Sequence, residues 1–271
     1  MYDWGGPAAA PTLLLGHATG LHGHMWLPLA QRLADRFRCI SLDFRGHGQA
    51  RRPDDGAFLW DGFGDDMVAA LDGMRLARRG DVYAIGHSMG GAALCMGELV
   101  RPATFEAMVL FEPIIFPAEY FDPTAGPNIM SESARRRREV FGSREEARQN
   151  YASKQPWMGV DADALDAYVQ YGFVDLANGT VRLACRSADE ARTFEGSPRS
   201  SFVFERAGDV RCPVTVMAGV ESGEDRLALS QRQADAFANG TLVALPGRTH
   251  FGPFEDVDGF AQIVLDVFGL G

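Results

Sequence analysis

Asp81-Val82-Tyr83-Ala84-Ile85-Gly86-His87-Ser88-Met89-Gly90-Gly91-Ala92-Ala93-Leu94 decides the reading of this chain. A β-branched, apolar run leads into Gly-X-Ser-X-Gly, and a helix-forming run of small residues follows. A serine in a tight strand-to-helix turn projects its hydroxyl above a sheet, and the flanking glycines leave room for the bent backbone. The next backbone N–H, that of Met89, then lies at a helix N-terminus, where the dipole favours negative charge. Ser88 is accordingly the candidate nucleophile.

Outward from this turn, short apolar runs alternate with longer helical patterns. Strands are predicted at Thr12–Leu15, Cys39–Asp43, Val82–Ile85, Met108–Phe111, Val214–Met217 and Leu242–Leu245. Their nearly continuous apolarity suits parallel strands covered on both faces. Helices are predicted at Met25–Asp35, with Pro28 in the first turn, and at Asp65–Leu76, Gly90–Val100 and Val257–Phe268. The fold class is α/β, a mostly parallel central sheet flanked by helices.

The alternation breaks between Pro117 and Gly208. Helical patterns at Glu132–Tyr151 and Ala162–Tyr171 are separated by Pro156 and Trp157, and Ser143 with Glu146 has capping-box spacing, which breaks the first pattern at Gly142. The chain therefore divides into a core, 1–116 and 209–271, and a mainly helical lid, 117–208, inserted in it; an unstructured loop of that length is uncommon in a compact domain.

A net charge of −10 argues against nucleic acid and anionic membrane as partners, since both need a basic footprint. No apolar stretch approaches membrane-spanning length, and Met1–Gly6 lacks the basic and apolar segments of a secretory leader. Cys39, Cys95, Cys185 and Cys212 are far apart and lack metal-ligand spacing. A reduced, cytoplasmic protein is expected, with a small-molecule substrate and neither cofactor nor metal.

Three further segments join the serine turn in resembling the α/β-hydrolase superfamily, and the resemblance covers nearly the whole chain. Leu13-Leu14-Leu15-Gly16-His17-Ala18-Thr19-Gly20 resembles its His-Gly oxyanion loop, with Ala18 where glycine is usual. Asp43-Phe44-Arg45-Gly46-His47-Gly48 resembles the turn after the next strand, and Pro246-Gly247-Arg248-Thr249-His250-Phe251 the loop of the catalytic histidine. The resemblance implies a helix-flanked sheet with an inserted lid and makes the Thr19 N–H the second oxyanion donor beside that of Met89. His250 follows a strand and a Pro-Gly turn, from which it can reach a serine on a neighbouring strand as general base.

The acid departs from the family pattern. Its usual slot, three residues beyond Gly219, holds Ser222, which cannot act as a carboxylate. Some relatives in the superfamily carry their acid at the end of the preceding strand, here Met108-Val109-Leu110-Phe111-Glu112-Pro113. A carboxylate ending an apolar strand is also poorly explained by packing. Glu112 is therefore the first choice, ahead of Glu221 and Asp225.

His17 is read as a structural loop residue, and His22 and His24 as solvated loop residues, because no carboxylate or cysteine completes a metal set. Arg135–Arg138 is read as a solvated helix face paired with Glu132, Glu139, Glu145 and Glu146. Phe116, Trp157 and Tyr168 are candidates for lining an apolar pocket. The expected activity is hydrolysis of a small, mostly apolar ester or lactone through an acyl-enzyme. A C–C bond hydrolase, a cofactor-free haloperoxidase and a non-catalytic binding protein are the alternatives on the same fold. The family usually has two strands before Thr12–Leu15, where only a short segment stands here. A missing edge strand would leave pairing groups open and could favour a homodimer.

Overall fold

A computed structural model describes residues 1–121 and 128–271. Its main sheet has seven strands: β1 (Tyr2–Asp3), β2 (Thr12–Gly16), β3 (Arg38–Ser41), β4 (Val82–His87), β5 (Ala107–Phe111), then β9 (Val214–Gly219) and β10 (Gly240–Leu245), in the spatial order β1-β3-β2-β4-β5-β9-β10. All pairings are parallel except that of β1, whose Tyr2 and Asp3 run antiparallel to Ser41 and Ile40 of β3. The segment before β2 thus supplies an edge strand.

The central strands sort their side chains with a period of two, as the pleat requires. Leu13, Leu15, Ile85, Val109 and Phe111 enter the core on one face, while Leu14, Val82, Ala84, Met108 and Leu110 enter the core on the other. Helices α1 (Leu27–Leu33) and α11 (Val257–Val267) cover the first face. Helices α2 (Trp60–Gly73) and α3 (Met89–Val100) cover the second. The two edge strands depart from two-sided burial: neither residue of β1 is buried, and of β10 only Leu245 is.

Between β5 and β9 the chain forms α4 (Ile129–Arg135), α5 (Arg144–Ala152), α6 (Ala162–Tyr171), α7 (Ser187–Glu195) and α8 (Ser201–Glu205). With them comes a small antiparallel sheet of β6 (Val140–Phe141), β7 (Phe173–Asp175) and β8 (Val181–Leu183), ordered β6-β8-β7. The insert is therefore not helical throughout. The helical pattern predicted over Glu132–Tyr151 divides near Gly142, and Ser143 caps α5 by accepting from the Glu146 N–H at 3.1 Å. Beyond the insert, α9 (Glu224–Ala236) lies between β9 and β10, and the single turn α10 (Gly252–Glu255) lies between β10 and α11. Among the described residues no helix is long and apolar enough to cross a membrane.

Candidate active site

Ser88 stands between β4 and α3 with φ 54° and ψ −115°, a left-handed conformation that costs a non-glycine residue about 1–3 kcal/mol. The surroundings hold it there. Its N–H donates to the Phe111 carbonyl at 2.9 Å, and its carbonyl accepts from Ile114 N–H at 3.2 Å. The two motif glycines are required by close approach. A Cβ on Gly86 would lie 2.5 Å from Gly91 Cα, and one on Gly90 would fall onto the Gly16 carbonyl. Gly90 thus brings α3 against the end of β2 and its loop, where the Thr19 hydroxyl reaches Met89 Sδ at 3.5 Å. Met89 opens α3, so its N–H has no acceptor within the helix.

Glu112 ends β5 in a second left-handed conformation, φ 42°, and its N–H donates to the Met217 carbonyl at 2.8 Å. Its side chain is buried and saturated with partners. Oε2 meets His250 Nδ1 at 2.6 Å and Arg226 Nε at 3.4 Å. Oε1 accepts from Ser222 Oγ at 2.5 Å and from Gly219 N–H at 3.1 Å. Burial pushes the Glu112 carboxyl upward, but the His250 hydrogen bond and charge, the Ser222 hydroxyl and the Arg226 charge outweigh it and hold the pKa below the ordinary glutamate value. Glu221 and Asp225, the alternatives for the acid, are exposed, and neither bonds to His250. The Nδ1 contact leaves Nε2 as the ring nitrogen available to a reacting group.

Ser88 and His250 open onto one cavity of about 620 Å³ together with Thr19. Its apolar wall includes Leu21, Trp157, Phe194 and Phe251, whereas Arg136, Arg137, Arg138 and Lys154 also line it. Of the three aromatic candidates, Trp157 lines this space. Tyr168 is buried behind it, stacked on His22 and taking a 2.7 Å hydrogen bond from Arg137. Phe116 is elsewhere, under the Arg226 guanidinium.

The arginine run also differs from expectation, because α4 ends at Arg135 and the following residues no longer follow a helical face. Arg135 pairs with Glu195, Arg136 with Glu132 and Arg138 with Glu146. Arg137 instead turns inward to Glu190 of α7 and donates to the Tyr151 and Tyr168 hydroxyls. This pair abuts the loop after β2: a Cβ on Gly20 would lie 2.5 Å from Glu190 Oε1.

The histidines outside the Glu112 contact are buried. His17 accepts from Phe44 N–H at 3.0 Å through Nε2, so that Nδ1 is left to donate to the Ala18 carbonyl at 2.8 Å, and burial pulls its pKa down to about 3. It fastens the loop after β2 to the one after β3. His22 and His24 are not solvated. They fill the junction between core and insert, where His22 Nε2 bonds the Tyr168 carbonyl at 3.1 Å and His24 stacks on Tyr171. Burial brings the His22 pKa down to about 4 and drives that of His87 well below its usual value. In the sequence Asp43 stands only as the end of a strand and the start of the Asp43–Gly48 turn, with no role of its own predicted. It accepts from Tyr2 Oη, from Gly23 N–H at 2.6 Å and from Gln49 N–H at 2.7 Å, and so anchors β1 to two loops.

A sequence profile of the alpha/beta hydrolase family matches residues 13–263. A putative carbamate hydrolase RutD of Caulobacter sp. (strain K31) is 27% identical over 247 residues, 91% of this chain and 86% of that protein. A 2-(acetamidomethylene)succinate hydrolase of Mesorhizobium japonicum is 27% identical over 248 residues, 90% of this chain and 82% of that protein. The crystal structure of E-2-(acetamidomethylene)succinate hydrolase superposes with a TM-score of 0.78 at 21% identity, covering 98% of this chain and 93% of that one.

Proposed function

Because the chain belongs to the alpha/beta hydrolase family, we propose that it is a serine hydrolase with Ser88 as nucleophile, His250 as general base and Glu112 as the acid that orients it. The observation that carries this reading is the 2.6 Å contact between His250 Nδ1 and Glu112 Oε2, beside a cavity that Ser88 also lines. The Nδ1–H donated to Glu112 fixes the tautomer that leaves Nε2 basic.

Ser88 Oγ attacks the carbonyl carbon as its proton passes to His250 Nε2. The tetrahedral oxyanion lies against the backbone N–H groups of Thr19 and Met89, with the α3 dipole behind the latter. His250 returns the proton to the leaving group, which departs as an acyl-enzyme forms on Ser88. Water, deprotonated by the same histidine, then attacks the acyl carbon, and His250 passes that proton to Ser88 Oγ as the acyl–oxygen bond breaks and the acid leaves.

The substrate is a small ester or lactone whose acyl part packs on Trp157, Leu21 and Phe251. Relatives named for a carbamate and for an acetamidomethylene succinate favour a second reading, in which the leaving group is a nitrogen. Both share the acyl chemistry at Ser88. A fluorophosphonate probe with mass mapping tests it: labelling of Ser88 that vanishes in Ser88→Ala is expected. Absence of labelling in folded wild-type protein would remove the activated serine.

A further inference from the structure

We propose that the cavity over Ser88 takes acyl substrates that carry a second, free carboxylate, and that Lys154 is the cation that receives it. The inference rests on the serine-hydrolase reading for the reaction but on the cavity alone for the ligand.

Four cations line the cavity, Arg136, Arg137, Arg138 and Lys154, against a single carboxylate, Glu190. The chain as a whole carries a net charge of −10, so this wall opposes the prevailing sign of the protein. Arg136, Arg138 and Lys154 are exposed at the rim of the cavity, where a neutral apolar ester would leave their charge to solvent and a carboxylate would give it a partner.

The four are not equivalent. Arg137 is committed to Glu190 and two tyrosine hydroxyls. Arg138 is held by Glu146 at 2.6 Å and the Val140 carbonyl at 2.8 Å, and Arg136 faces Glu132 at 3.7 Å. Lys154, just after α5, has no carboxylate within ion-pair distance among the described residues. Its ammonium donates to one neutral acceptor, Asn150 Oδ1, at 2.6 Å. An ammonium has three donors, so two are left for a ligand. Lys154 is also the only lysine in a chain with 25 arginines, which makes amine chemistry specific to it apart from the N-terminus. The aromatic wall would hold the carbon chain between the scissile carbonyl and the distal carboxylate.

The test compares the mono-p-nitrophenyl esters of adipic and suberic acid with their methyl-capped counterparts. At low ionic strength, kcat/KM for at least one free acid should exceed that of its capped partner by about tenfold, chiefly through KM, and about 0.5 M sodium chloride should narrow the gap. Lys154→Met should bring the pair to within about twofold, while Lys154→Arg should keep most of the preference, since both long cations can meet a carboxylate. Equal or faster turnover of the capped esters, or a preference that survives in Lys154→Met, would overturn the proposal. A binding arm separates this failure from that of the reaction. In Ser88→Ala, monomethyl adipate and monomethyl suberate should bind by calorimetry and slow trinitrobenzenesulfonate modification of Lys154. If no ester is cleaved and Ser88 resists the fluorophosphonate, the serine-hydrolase reading fails. Lys154-dependent binding of these monoesters then decides the ligand class by itself, and its absence refutes the proposal.

Discussion

Ser222 Oγ donates to Glu112 Oε1 at 2.5 Å. The residue in the slot where related hydrolases usually carry their acid is thus a donor to the carboxylate that meets His250 from the neighbouring strand. The two strands share the work of orienting the histidine. Strand β5 ends in the charge, and the turn after β9 adds the Ser222 hydroxyl to the His250 hydrogen bond and charge that hold it ionised.

Replacing the charge while keeping the shape isolates its part in the reaction. Glu112→Gln presents either an amide N–H₂ or a neutral oxygen to His250 Nδ1 and weakens the tautomer preference. Loss of a comparable acid costs about 10⁴ in kcat in a serine protease, and a drop of about 10³–10⁴ is expected here. Glu221→Gln and Asp225→Asn, both at exposed positions, should stay within about twofold of wild type, as expected away from buried features. Initial rates on a p-nitrophenyl ester decide it, and near-wild-type turnover by Glu112→Gln would remove Glu112 from the reaction.

The Thr19 side chain makes only a 3.5 Å contact to a thioether, whereas its backbone N–H is the group assigned to the oxyanion. Thr19→Ala should therefore retain kcat to within a fewfold. Thr19→Pro deletes the N–H and should lower kcat about 10²–10³-fold, the usual cost of one oxyanion donor. Circular dichroism of the proline variant separates lost chemistry from lost fold. If Thr19→Pro folds and turns over normally, the second donor is another group.

The elbow and the sheet are legible because their signals are local. Val82–Ile85, the glycines around Ser88 and the apolar runs at Leu13–Leu15 and Met108–Phe111 each carry their conformation in consecutive residues. Glu112 stands out by contrast, a charge at the end of a buried strand. Helix α9, Glu224–Ala236, escapes a sequence reading because its buried residues include Ser230 and Gln233 and leave a weak apolar stripe. The inward turn of Arg137 depends on α4 ending at Arg135 and on Glu190 lying 53 residues further along, which no local pattern reveals. Tyr168 and Phe116 are cavity candidates by residue type alone, and type does not fix direction.

The buried histidines give acid sensitivity a definite sign. With folded pKa values of about 3 for His17 and about 4 for His22, both below the unfolded value near 6.5, the unfolded chain binds more protons between those limits. Stability contributed by the neutral, buried rings is fully present above about pH 6.5 and is lost as pH falls toward the folded values. At pH 5 each costs about 2 kcal/mol relative to pH 7.5. Urea unfolding at the two pH values should show the loss, and His22→Gln, which can still donate to the Tyr168 carbonyl, should reduce the difference by about that amount. An unchanged difference would mean that His22 does not titrate as a buried neutral ring. Below the glutamate range, protonation of Glu112, whose folded pKa is depressed, should add a further loss.

Arg137 and Glu190 join the segment after α4 to α7 beside Gly20, and their side chains are 21% and 9% exposed, shielded enough for a broken pair to be costly. Arg137→Met alone leaves Glu190 an uncompensated charge and two tyrosine hydroxyls without their donor, and Glu190→Leu alone strands the guanidinium. Each single change should destabilise by about 3–5 kcal/mol. The double variant Arg137→Met/Glu190→Leu leaves neither charge behind and should recover most of that loss, because well-packed apolar pairs often match buried ion pairs in stability. Urea midpoints of the four proteins give the coupling directly, and additive losses would show that the two residues act independently. Since the pair rests on the loop that carries Thr19, the double variant should also fall in kcat more than in stability. A double variant equal to wild type in kcat would mean that the loop after β2 keeps its shape without the ion pair.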